Sequence, residues 1–97
     1  MKTIFLSYNQ SITEQVETIL DRNNIRGYTR WLEVFGRGSF GGEPHMGSHT
    51  WPAKNTVMLA VVEDMRVTPL LEALRELDSR TEQQGLRAFV WNVEQQL

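Results

Sequence analysis

Apolar and polar positions change period several times along the chain, and each change marks an element. Thr3–Tyr8, TIFLSY, is β-branched and aromatic and stops at Asn9-Gln10-Ser11, the pattern of a strand with its terminator. Ile12, Val16, Ile19 and Leu20 then recur at helical spacing and predict a helix with one apolar face. Ser11 and Glu14 fit the N-cap and N3 positions of a capping box, and Asn23-Asn24 closes the helix. Tyr28–Phe35, YTRWLEVF, reads as a second strand. Thr56–Val62, TVMLAVV, reads as a third, apolar almost throughout, as a strand buried on both faces should be. Val67, Leu70, Leu71, Leu74 and Leu77 form a second amphipathic helix. It starts either at Asp64 as cap or at Thr68 with Pro69 in the first turn. Ser79–Gly85 is a polar turn and Leu86–Val93, LRAFVWNV, a fourth strand.

The order β-α-β-β-α-β predicts an α+β fold, a ferredoxin-like sandwich with both helices on one sheet face. Residues 1–97 suit a single small domain. The apolar third strand, with Trp31 and Trp91 on other strands, would leave a large apolar patch on the second face. Self-association is therefore expected to cover it.

Between the second and third strands lies VFGRGSFGGEPHMGSHTW, Val34–Trp51, which holds five of the seven glycines and both histidines. Compact domains rarely carry so long a loop without using it, and glycine at this density leaves backbone N–H groups accessible to a ligand.

The remaining composition narrows the function classes. A net charge of −2 and the absence of any like-charge block argue against nucleic acid as a partner. Without cysteine there are no disulfides, thiolate metal sites or Cys nucleophiles. The start MKTIFLSYNQ lacks the apolar length of a signal segment, and no apolar run approaches a membrane span. A soluble, cytoplasmic protein without membrane insertion is expected.

With its long loop, the chain resembles the PII-like signalling superfamily, whose members are trimers. Gly27-Tyr28-Thr29 is similar to the Gly-x-Thr opening of the family's second strand. Phe35-Gly36-Arg37 is similar to the Phe-Gly-Arg that begins its long T-loop, although one residue fewer separates the two motifs here. Val61-Val62-Glu63-Asp64 before a helix resembles the family's Val-Val-Asp-Asp junction, and Phe89-Val90 with Val93-Glu94 resembles its fourth-strand pattern. The resemblance implies a homotrimer with a flexible loop over residues 36–53. That loop would report a small ligand, such as an adenine nucleotide or another anion, to a membrane transporter or enzyme. The implied cleft residues are Gly27, Thr29, Gly36, Arg37, Lys54 and Arg87, with the basic side chains contacting anionic groups between subunits.

The chain also departs from the family. The phosphate-cradling turn Thr-Gly-x-x-Gly-Asp-Gly-Lys is replaced by Ser79-Arg80-Thr81-Glu82-Gln83-Gln84-Gly85-Leu86-Arg87, which keeps only Gly85 and a basic Arg87. No tyrosine lies between Phe40 and Pro52 to accept loop uridylylation.

Loss of the phosphate turn favours a second reading, a metal-responsive relative closer to the CutA divalent-cation-tolerance proteins. Glu43, His45 and His49 would then bind a divalent cation such as Zn or Cu. Solvent-exposed loop histidines explain the same residues. Phe40 and Trp51 either anchor a partner or pack the loop on its own subunit. A third reading, a small ferredoxin-like enzyme such as a cofactor-free monooxygenase, needs a polar cluster that the apolar strands do not supply. No nucleophile motif such as G-x-S-x-G is present, nor HExxH, so an enzyme is not expected.

Overall fold

In the computed structural model, which describes residues 1–37, 44–45, 54–81 and 84–97, the apolar periods become eight elements. These are β1 (Lys2–Asn9), α1 (Thr13–Arg22), β2 (Thr29–Val34), β3 (Gly36–Arg37), β4 (Pro44–His45), β5 (Asn55–Val62), α2 (Val67–Arg80) and β6 (Arg87–Asn92). β2, β5, β1 and β6 form one antiparallel sheet in that order, the ferredoxin-like arrangement expected. β3 and β4 add a two-rung ribbon within the glycine-rich segment, Gly36 opposite His45 and Arg37 opposite Pro44, which the apolar pattern did not indicate.

The register explains the core. Ile4 stands between Ala60 and Val90, and Leu6 between Met58 and Ala88, so even-numbered positions of the three strands share one face. Val16 and Leu20 of α1 and Leu70, Leu74 and Leu77 of α2 bury against that face. Arg30 of β2 pairs with Glu17 and ties the edge strand to α1.

The opposite face is open in the single chain. β5 alternates buried and less buried positions along its length, so within one chain its second face is the apolar surface that self-association is expected to cover. Val57, Leu59 and Val61 share the open face with Phe5, and Phe5 and Phe89 approach with ring centroids 6.5 Å apart. Trp31, Phe89 and Trp91, also on this face, retain 48, 56 and 48 % of their exposure. The apolar run in β5 concealed the alternation because both faces carry hydrophobic residues.

Local ends also differ from the sequence reading. The side chain of Asn9, not Ser11, caps the chain before α1: its amide oxygen accepts from the Ser11 N–H, and a 3-10 turn, Gln10–Ile12, precedes the helix. Ser11 Oγ instead lies 2.8 Å from Gln84 Oε1. Asn24 adopts φ 58°, and the Ile25 and Asn24 N–H groups donate to Leu20 O and Asp21 O, a Schellman end that seats Ile25 in the core. A second 3-10 turn, Asp64–Arg66, leads into α2, which continues through Ser79 to Arg80, past the expected start of the polar turn.

β2 carries one further irregularity. Trp31 pairs with Val57 and Val34 with Asn55, so β2 holds one residue more than its partner and bulges. Glu33 takes up the extra length at φ 55°, a left-handed conformation costing a non-glycine residue roughly 1–2 kcal/mol.

Tyr8 ends the buried row of β1. Its side chain is fully enclosed, and its hydroxyl has no hydrogen-bond partner among the described residues. Burial pushes the phenol up to about 12 from its ordinary 10.0. The folded state therefore favours the neutral phenol. That stability is fully present below the unfolded pKa and is lost as pH rises from about 10 to about 12. Tyr8→Phe is expected to be neutral, or stabilising by up to about 1 kcal/mol, at pH 7, because it removes an unsatisfied polar group. It should also remove an alkaline loss of about 2 kcal/mol that wild type shows. Urea unfolding of both proteins at pH 7 and at pH 11.5 (roughly the upper end of the titration) checks this; parallel pH profiles would contradict it.

Candidate functional site

The rim of the sheet formed by the end of β1, the start of β5, the end of β2 and the start of β6 carries Gly36, Arg37, Lys54 and Arg87 of the residues expected to line a cleft. Antiparallel pairing sets this, since Asn9 stands opposite Asn55, Ser7 opposite Arg87 and Val34 opposite Asn55. Gly36 and Arg37 follow directly after β2, and Lys54 directly precedes β5. The turn before β6 is fastened to the same rim by the Asn9 N–H donating to Gln84 O at 2.8 Å. Gly85 takes φ 65°, which suits glycine and accounts for its place in that turn.

Gly36 lies against the side-chain amide of Asn55, so the chain entering β3 packs on the first residue of β5, and a Cβ at this position would make the Asn55 side chain turn away. Asn55 escaped sequence reasoning because nothing local marks a residue as lying under a glycine.

Lys54 is held from two sides. Its carbonyl accepts from the Gln10 N–H at 2.9 Å, and its ammonium lies 3.8 Å from the Glu33 carboxylate. Arg87 is exposed on the edge strand β6, with Nη1 donating to Leu86 O at 2.8 Å. Arg37 is exposed on β3.

The three cations therefore share a rim without meeting. β2 and β6 are the two outer strands, separated by three inter-strand spacings, about 14 Å. Gly36, Arg37 and Lys54 belong to the β2–β5 side and Arg87 to the opposite edge. Thr29 lies further along β2, opposite Leu59 in the middle of the sheet, and Gly27 precedes it with open space where a Cβ would stand. One chain thus places these cations at opposite edges of its sheet instead of in one assembled pocket.

Of the expected metal ligands, Glu43 and His49 lie outside the described residues, as do Phe40 and Trp51, and His45 is placed only through its backbone in β4. Among the described residues no group of three or more histidine and acidic side chains converges on a point. No described helix is long and apolar enough to cross a membrane.

Known structures share this architecture. The nitrogen regulatory PII-like protein CPII from Thiomonas intermedia K12, solved bound to ADP, AMP and bicarbonate, superposes with a TM-score of 0.76 at 23 % identity, covering 93 % of this chain and 82 % of CPII. Its apo form gives a TM-score of 0.66 at 20 % identity over 93 % of this chain and 85 % of that one. A candidate PII-like signaling protein, TTHA0516 from Thermus thermophilus, gives 0.69 at 21 % identity over 95 % and 85 %. No curated protein matches the sequence. The family model for nitrogen regulatory protein P-II matches residues 1–96. With that match spanning nearly the whole sequence, the chain belongs to the nitrogen regulatory protein P-II family.

Proposed function

We propose that the protein is a regulatory sensor, not an enzyme, that works as a homotrimer and binds a small anionic ligand in the cleft between neighbouring copies. The observation that carries this reading is the division of the basic residues. Arg37 and Lys54 stand at one side of the rim and Arg87 at the other edge, so edge-to-edge association would join the two halves. The open face carrying Phe5, Leu59, Phe89 and Trp91 supplies apolar area for such association.

The ligand class follows from the chemistry of these groups. Guanidinium and ammonium groups suit phosphate or carboxylate oxygens, and CPII, of the same fold, is bound to ADP, AMP and bicarbonate. Only Gly85 and Arg87 remain from the phosphate turn, so the guanidinium side chains would carry more of the anion's charge than backbone N–H groups do. Ligand contacts at Gly36–Arg37, the root of the 36–53 segment, would favour one arrangement of that segment, which a transporter or enzyme then recognises.

Isothermal titration of the wild-type protein with ADP, AMP and bicarbonate, alongside sedimentation equilibrium, tests the reading. Binding of at least one of them by a species with the mass of three chains is the expected result. A monomer, or a trimer that takes up none of the three ligands at millimolar concentration, would sink it.

A further inference from the structure

We infer that Glu33 sets the affinity of the site: it is an internal carboxylate that occupies Lys54 and must be displaced by the incoming anion. This rests on the proposal that Lys54 is an anion ligand. It adds a competitor for that ligand within the same chain.

Three observations converge on Glu33. Its carboxylate lies 3.8 Å from the Lys54 ammonium, within ion-pair range. Its backbone adopts φ 55°, a conformation that glycine or asparagine would adopt more cheaply, yet the position carries a charged side chain. It also sits in the bulge of β2. Simple alternation from Thr29 opposite Leu59 and Trp31 opposite Val57 would pair residue 33 with Asn55, but Val34 occupies that place. The extra residue takes Glu33 out of the ladder and leaves its carboxylate beside Lys54.

The exposures suit a displaceable pair. Lys54 is 29 % exposed and Glu33 69 %, so the lysine is held in place while the carboxylate can swing into water. An exposed ion pair of this kind is weak, with coupling no greater than about 1 kcal/mol. A small anion can therefore compete with it, and the cost of displacing Glu33 lowers the affinity of every anion at Lys54 by the same factor. Glu33 lies three residues before Gly36, close in sequence to the loop root.

The test is Glu33→Gln, which keeps the shape and removes the charge, titrated with ADP and with bicarbonate. Glu33→Gln should tighten both by the same factor, up to about fivefold, the range that a coupling of up to about 1 kcal/mol allows. In a Lys54→Gln background the same substitution should change affinity by less than about 1.5-fold, because the pair it breaks is already absent. An unchanged or weaker affinity in Glu33→Gln overturns the inference. So does an equal gain in the Lys54→Gln background, which would reduce the effect to general charge repulsion. A wild type that binds neither ADP nor bicarbonate fails at the earlier step: it removes Lys54 as an anion ligand and the competition with it. A wild type that binds while Glu33→Gln shows no gain removes the competition alone.

Discussion

Arg37→Ala and Arg87→Ala are each expected to weaken ADP binding by roughly ten- to a hundredfold, while an equimolar mixture of the two variants recovers binding at about a quarter of its clefts. The single losses follow from charge-assisted bonds to phosphate, worth about 1.5–3 kcal/mol each. The recovery follows from where the residues stand. Arg37 extends from the β2 side of the sheet and Arg87 from β6, the opposite outer strand. If each cleft takes one arginine from each of two copies, an Arg87→Ala chain still supplies Arg37, and an Arg37→Ala chain still supplies Arg87. Random assortment of the two variants places an intact pair at about one cleft in four. Isothermal titration of co-refolded mixtures reads that fraction directly as stoichiometry. Absence of any recovery would mean that the arginines do not act across an interface between copies.

Leu59→Glu is the second substitution with a large expected effect. Leu59 stands opposite both Phe5 and Thr29 on the open face, near the centre of the sheet. A carboxylate buried there between copies would lack a partner, and each such group costs several kcal/mol. Association should therefore be lost, and sedimentation should report a single chain. The fold itself should persist, because Leu59 lies on the face opposite Met58, Ala60 and the helices. Far-UV circular dichroism would distinguish this from unfolding. Leu70→Glu, on the buried side of α2, should by contrast unfold the chain. If Leu59→Glu left the assembly intact, the open face would not be the surface that joins the copies.

Much of the fold was legible because its signals are local. The helical spacing of Val16 and Leu20, and of Leu70, Leu74 and Leu77, predicted the residues that bury in the core. Asn23-Asn24 marked the end of α1, where Asn24 takes the left-handed conformation that asparagine tolerates. Errors arose where two local solutions compete. Asn9 and Ser11 are both good caps, and the intervening 3-10 turn decided for Asn9. The open apolar face, by contrast, was legible, because Val57, Leu59 and Val61 are as apolar as Met58, Ala60 and Val62 across the strand. The bulge at Glu33 left no trace, since the usual marks of a left-handed residue are glycine and asparagine.

By itself the sequence determined the chain order of the main strands and helices and the helix faces that form the core, because period and turn chemistry act over a few neighbouring residues. Gly36, Arg37, Lys54 and Arg87 entered through the resemblance to the P-II family. The tertiary structure alone decided that Arg87 stands on the edge opposite Arg37 and Lys54, that Gly36 rests on Asn55, and that Glu33 holds Lys54. These are relations between strands distant in sequence. They depend on how distant strands pair and on one extra residue in β2, a bulge that no local pattern encodes.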